Sequence, residues 1–179
     1  VLFPSCCVAC EKKLLQEEQI ICSSCLSAIA RTEHTTLPDN GIDMLFAEWM
    51  KNEHRTIHYV RGAAFAFYNR ERGQILRSLI ERGKFGITPN PHIFYQLGIL
   101  AAREYVGSAL LEDVDLLVPV PLHPYRLHER GFNQAEYICK GLSDVLGIAI
   151  DTEHLIRTRN NPHQSKSEFH LRKENVKDL

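Results

Sequence analysis

The sequence predicts an α/β protein built on a parallel sheet flanked by helices, with a small cysteine-rich module ahead of it. Three observations predict this. Short β-like apolar runs alternate with stretches of helical periodicity, the order a parallel sheet needs. The apolar run from Val114 to Val118 leads into a polar loop and then a helical pattern near Phe132; strand, polar loop, helix is the usual layout of an anion site in α/β proteins. Finally, five of the six cysteines fall within the first 25 residues, which sets that end apart from the rest of the chain.

The elements follow in order. Residues 1–30 form the cysteine module. Residues 31–60 read as a linker or hood of mixed charge, with Pro38, Asp39, Asn40 and Gly41 marking a turn and Met44–Met50 a short helix. From residue 61 onward the pattern is that of the α/β domain. Gly62–Tyr68 reads as a strand. Ile75, Leu76, Leu79 and Ile80 recur at helical spacing, so a helix is expected over Glu71–Arg82, stopping at Gly83. Turn residues Gly86, Pro89, Asn90 and Pro91 come next, then a long apolar helix over Ile93–Leu111. Val114–Val120 is a strand, Phe132–Leu146 a helix and Gly147 its C-cap. A short strand is expected at His154–Ile156, a polar loop at Arg157–Phe169, and the start of another element at Leu171–Leu179.

Composition narrows the class. With 179 residues and 44% hydrophobic content the chain can bury a real core. A formal net charge of −1 argues against a wholesale nucleic-acid coat, though not against a local basic patch. No stretch approaches the roughly 18 apolar residues of a membrane span. No signal peptide is visible, so the expected compartment is the cytoplasm. The chain opens on Val1 and not on Met, which leads us to expect missing residues at its start.

Cys7-x2-Cys10 and Cys22-x2-Cys25 are two knuckles separated by eleven residues. Each places two thiolates on a tight turn, and two such turns complete a tetrahedron around one Zn²⁺. With all four positions filled by protein, the zinc is expected to be structural, and to supply folding energy that so small a module cannot obtain by burial. Cys6 in place of Cys7 gives the less usual Cys-x3-Cys spacing. The plain alternative is a redox pair or a bare thiol cluster. Cys139, on a helix, reads as a small buried residue.

Two polar segments are candidate anion sites. In the first, Arg126 and Arg130 offer planar forks suited to phosphate oxygens. Gly131 allows close backbone approach, and Asn133 and Gln134 can donate at a helix start. His123 and His128 are two further donors, or simply surface and capping residues. A solvated loop is the bland reading of the whole segment. In the second, Arg157 to Lys177 carries six basic residues against two acidic ones. It reads as a solvated helix face or as a mobile loop that closes over a polyanion.

Together these pieces resemble the ComF family, the ComFC/GntX-like proteins, in which a four-cysteine zinc module precedes a type I phosphoribosyltransferase domain. The resemblance rests on Leu2-Phe3-Pro4, the four cysteines, Gly62–Tyr68, Lys84-Phe85, the segment 119–124 and Arg126. It continues through Arg130-Gly131-Phe132-Asn133-Gln134, Arg157-Thr158-Arg159, Gln164-Ser165, Arg172 and Asn175-Val176. It implies a type I phosphoribosyltransferase-like fold over 61–179. It implies that Arg126, Arg130, Gly131, Asn133 and Gln134 face the pyrophosphate of phosphoribosyl pyrophosphate bound with Mg²⁺. Arg159, Gln164, Ser165, Arg172 and Asn175 would lie on the flexible loop that closes over it. The family's association with competence implies a role in DNA uptake. The alternative is a non-enzymatic protein that holds single-stranded DNA or a competence partner. One departure matters: type I phosphoribosyltransferases carry two adjacent acidic residues leading into a Thr-Thr-Gly type turn, and no such motif occurs here. The family places it beyond Asn175-Val176, so the chain reads as truncated at its C-terminus. Whether it is an enzyme is thereby left open.

Overall fold

The computed structural model describes residues 5–34, 40–52, 61–85 and 89–160. Within them the helices are α1 (Ser23–Ser27), α2 (Gly41–Asn52), α3 (Gln74–Phe85), α4 (Pro91–Tyr105), α5 (Pro124–Arg130) and α6 (Gln134–Leu146), with a 3₁₀ turn at Ala109–Leu111. Two short strands, β1 (Leu116–Leu117) and β2 (Ala149–Ile150), pair in parallel, Leu116 opposite Ala149 and Leu117 opposite Ile150. The mixed helix–strand character and the parallel pairing agree with the sequence reading, and the sheet among the described residues has two strands.

Capping chemistry sets the element boundaries. Asn90 accepts the His92 N–H at 3.0 Å with Pro91 in the first turn, so α4 begins there. Its end at Tyr105 falls short of the expected Leu111, because Gly107 turns to φ 73° and the chain restarts as the 3₁₀ turn. α3 runs past Gly83 to Phe85. That glycine is required by packing instead of by a stop: a Cβ there would lie 2.7 Å from the Phe94 ring. α6 starts at Gln134, two residues after Phe132, because Asn133 is its N-cap; Gly147, at φ 71°, closes it as expected.

Three expectations are corrected. Gly62–Tyr68 is not a strand of the parallel sheet: only Ala66 bridges, antiparallel, to Arg31, and Phe67 N–H donates to Ala30 O at 3.0 Å. The strand expected at His154–Ile156 lies earlier, at Ala149–Ile150. Asp151 stops it, its Oδ1 taking the N–H groups of Glu153 and His154 at 2.9 and 3.1 Å in a tight turn. The polar segment between β1 and α6 is not all loop, for it contains α5. His123 caps that helix through Nδ1, Pro124 opens it, and Gly131 at φ 83° ends it.

Packing joins the parts. Leu76 and Leu79 of α3 and Ile93 and Leu97 of α4 share one buried core with Cys7, Leu14, Ile21, Cys22, Cys25 and Ile29. The cysteine segment is therefore seated on α3 and α4. α4 and α6 cross at two glycines: a Cβ on Gly98 would meet the Ile138 carbonyl, and one on Gly141 would lie 2.7 Å from Ile99 N. Phe132 caps this contact, 5.9 Å from the Phe94 ring and 5.7 Å from Tyr137. On β1 and just beyond it, Leu116, Val118 and Val120 alternate along the chain and are 44%, 45% and 68% exposed. A row of this kind is usually covered in a parallel sheet.

Candidate metal centre and anion site

The cysteine centre is built by two turns. Cys7 to Cys10 forms the first, closed by Glu11 N–H donating to Cys7 O at 2.8 Å while Glu11 takes a left-handed φ of 63°. Cys22 and Cys25 form the second, at the start of α1, with Cys25 N–H to Cys22 O at 3.0 Å. The sulfurs of Cys7, Cys10, Cys22 and Cys25 all lie within 4.8 Å of one another. Cys10 and Cys22 sulfurs are 3.7 Å apart. A tetrahedron with Zn–S bonds of about 2.3 Å has edges of about 3.8 Å, so the cluster has the dimensions of a zinc site. Of Cys6 and Cys7, Cys7 is the thiol that joins the cluster. Cys6 is exposed, and its backbone bridges to Lys13.

The electrostatics suit a cation. Burial opposes ionising Cys7, but N–H groups of Cys22, Cys10 and Ala9 offset it and bring the thiol down to about 6. The Cys22 and Ala9 N–H groups approach its sulfur at 3.3 and 3.4 Å. Cys25 is pushed strongly upward, by burial first and then by the neighbouring thiols Cys22, Cys10 and Cys7. Without a metal the cluster therefore resists accumulating thiolates. A bound divalent ion would compensate their charge. Four thiols so close can hold a metal such as zinc.

The second centre lies at the carboxyl ends of β1 and β2, where open α/β sheets place their ligands. Here the segment after β1 meets the turn after β2, and Pro121, Leu127, Asn133, Glu136 and Thr152 share the lining of a recess of about 100 Å³. Arg126, Arg130 and Gln134 lie beside this recess along the chain and not in its lining. Arg130 Nη1 donates to Gln134 Oε1 at 2.6 Å. The other end of that amide, Gln134 Nε2, is buried and has no hydrogen-bond partner. Arg126 is tied to Glu129 at 2.8 Å. Asn133 is committed to the fold: its Nδ2 donates to Val120 O at 3.0 Å and its Oδ1 accepts the Ala135 N–H at 3.1 Å. Gly131 is exposed and serves as the C-cap of α5, with its N–H on Leu127 O at 2.7 Å. His123 likewise spends its Nδ1 on capping.

One cation was not singled out from the sequence as a site residue. Lys84, near the end of α3, is held below its usual range by burial first and then by the charge of Arg130. Arg130 is in turn lowered, chiefly by burial and also by Arg126, with Glu129 opposing. Two half-buried cations thus repel each other beside an amide donor that lacks an acceptor. Sequence spacing could not reveal this, since Lys84 and Arg130 come within electrostatic reach only in the fold; the Lys84-Phe85 pair was the one available signal. Of the closing-loop candidates, Arg159 is exposed, its carbonyl accepting from Arg157 Nε at 3.4 Å. Gln164, Ser165, Arg172 and Asn175 lie outside the described residues.

A larger open cleft of about 450 Å³ lies elsewhere, lined by Tyr105, Ser108, Val114, Leu146 and Ile148. Val114 and Ile148 precede the two strands, so the cleft opens at the amino ends of the sheet, away from the cations. No helix among the described residues is long and apolar enough to cross a membrane.

No protein-family model matches the chain, and no solved structure matches it. Curated proteins do. The chain is 29% identical over 177 residues to the DNA utilization protein YhgH of Escherichia coli, spanning 98% of this chain and 76% of that protein. It is 28% identical to the Shigella flexneri protein of the same name over the same shares of both chains. A shorter stretch of 80 residues is 38% identical to the Salmonella typhimurium protein, covering 45% of this chain and 34% of that one. The chain is thus similar along nearly its whole length to proteins called DNA utilization proteins.

Proposed function

We propose that this chain is a ComF-type, phosphoribosyltransferase-like protein that binds the pyrophosphate group of phosphoribosyl pyrophosphate at the carboxyl ends of its strands. The observation that carries this reading is the pairing of mutually repelling, half-buried Lys84 and Arg130 with the orphaned Gln134 Nε2. A multiply charged oxyanion would relieve the repulsion and accept from the amide at once. Arg130 and Arg126 would supply the forks, with Arg126 released from Glu129 to do so. Asn133 and Gly131 act by shaping the turn and the start of α6, while Gln134 is the donor. Mg²⁺ would neutralise further phosphate charge. Were an acceptor's lone pair to form a bond to the ribose anomeric carbon, the C–O bonding pair would leave with the pyrophosphate, where cations placed here would stabilise the charge. The residues named here carry a binding role. The four cysteines hold a structural zinc.

The name of the relatives, DNA utilization proteins, favours a second reading, in which the ligand is the phosphodiester backbone of single-stranded DNA. Aromatic residues for base stacking would be expected beside the cations; Tyr125, over which Arg126 sits at 5.9 Å, is one. Calorimetry with pyrophosphate and with phosphoribosyl pyrophosphate, with and without Mg²⁺, against an oligothymidine of matched charge separates the two. Saturable heat with the small ligands supports the first reading. Heat with DNA alone, falling steeply with salt, replaces it with the second. Heat with neither removes both.

A further inference from the structure

The two centres are joined by one helix. α3 lays Leu76 and Leu79 into the core that contains Cys7, Cys22 and Cys25. One turn on, Arg82 reaches into the first knuckle: its Nη1 donates to Val8 O at 2.8 Å and lies 3.4 Å from the Glu11 carboxylate. Val8 sits between the ligands Cys7 and Cys10, and Glu11 follows Cys10 directly. Two residues beyond Arg82, on the same helix, is Lys84. Between them Gly83 packs against Phe94, so the helix end cannot slide toward α4 without a clash. Arg82 thus ties the first knuckle to the last turn of α3, the turn that also carries Lys84.

We propose that Arg82 is a positioning residue through which occupancy of the cysteine site sets the anion affinity of the Lys84–Arg130 cluster. This rests on the anion reading above. A metal that holds the Cys7–Cys10 turn in one shape holds the Val8 carbonyl and Glu11 in place. Arg82 then fixes the last turn of α3, and Lys84 is presented to the ligand without having to be ordered by it. Loss of the metal lets the knuckle change shape, and Lys84 must be ordered on binding. Linkage requires the converse as well: an anion seated on Lys84 and Arg130 strengthens the hold on the metal by the same factor.

The test compares the zinc-loaded wild type with Arg82→Met, which keeps the stem and removes the donors, and with Glu11→Gln, which leaves the Arg82 charge in place. Pyrophosphate affinity is measured by calorimetry, and zinc release to a chromogenic chelator is timed with and without pyrophosphate. Far-UV circular dichroism checks that each variant is folded. The expected wild-type result is saturable binding, with slower zinc release when pyrophosphate is present. The chelator is used in large excess, and a control with free zinc and pyrophosphate corrects for zinc that pyrophosphate withholds from it. Arg82→Met should weaken pyrophosphate binding about fivefold or more and abolish the slowing. Glu11→Gln should show both effects in milder form, which separates positioning from loss of a cation near the ligand. If the wild type binds pyrophosphate, yet Arg82→Met binds it equally and its zinc release still slows, the coupling is wrong and the anion site stands. If the wild type binds none, both fall.

Discussion

At the scale of single residues, the cysteines and Arg130 act for reasons visible in their own chemistry, whereas Lys84 and Asn133 do not. Replacing Cys22 by Ser removes a ligand that cannot be substituted from within the cluster, so bound zinc measured by native mass should fall from one per chain to none. The melting temperature should drop by roughly 5 °C or more; retention of zinc and stability would show that three thiols suffice. Lys84→Met removes one of the two repelling half-buried cations. It should cost at least about fivefold in pyrophosphate affinity, by the usual strength of charge-assisted contacts, while leaving the fold intact or slightly firmer. Unchanged affinity would exclude Lys84 from the site. Asp151 provides a pH prediction. N–H groups of Glu153 and His154 hold its carboxyl below the usual value. A lowered folded pKa contributes stability that is present above the unfolded value and is lost as pH falls through the folded one. The side-chain carboxyl carbon of Asp151, followed by NMR, should therefore keep the shift of the charged form through the ordinary carboxylate range and move only below it. Movement at the ordinary range would mean the turn does not hold the charged form.

At the scale of elements, the junctions matter more than the helices themselves. Asn133 caps α6 and also ties it to Val120. Asn133→Ala should cost about 1 to 2 kcal/mol in urea denaturation, more than a simple surface cap. The α4–α6 crossing is stricter. Gly141→Ala places a methyl group against the backbone at Tyr95 and Ile99. Since backbone cannot yield as a side-chain tip does, a loss of about 1 to 3 kcal/mol is expected, and a neutral result would mean that the helices can separate without penalty. The helical periodicity of α3 and α6 was legible because their apolar faces repeat at 3.6-residue spacing. The helix α5 was not, since its seven residues present no buried face and its only signals are caps: His123, Pro124 and Gly131. The strand misplacement near His154 has a similar cause. Leu155 and Ile156 are exposed apolar residues, and an Asp turn outranks hydrophobicity in ending β2.

At the scale of the whole molecule, the cysteine segment and the helices behind it share one core, so metal and fold should respond together. Stripping zinc with a strong chelator is expected to raise hydrogen exchange in α3 and the first half of α4 as well as in residues 5–30. Protection of α3 and α4 unaffected by chelation would show the cysteine segment to be an independent appendage.

The sequence by itself determined the chemistry of the parts. Two Cys-x2-Cys knuckles name four thiols, the run into Arg-Gly-Phe-Asn-Gln names a polar turn before a helix, and the order of apolar runs implies parallel strands. Each of these is written in neighbours along the chain. Only the tertiary structure decided which groups are spent and which remain available. It consumed Asn133 and His123 as caps, left the Gln134 Nε2 without an acceptor, and placed Lys84 within electrostatic reach of Arg130. Local spacing specifies what a turn or knuckle can be. Charge repulsion, burial and unmet hydrogen bonds depend on segments far apart in the chain, and exist only once those segments are packed.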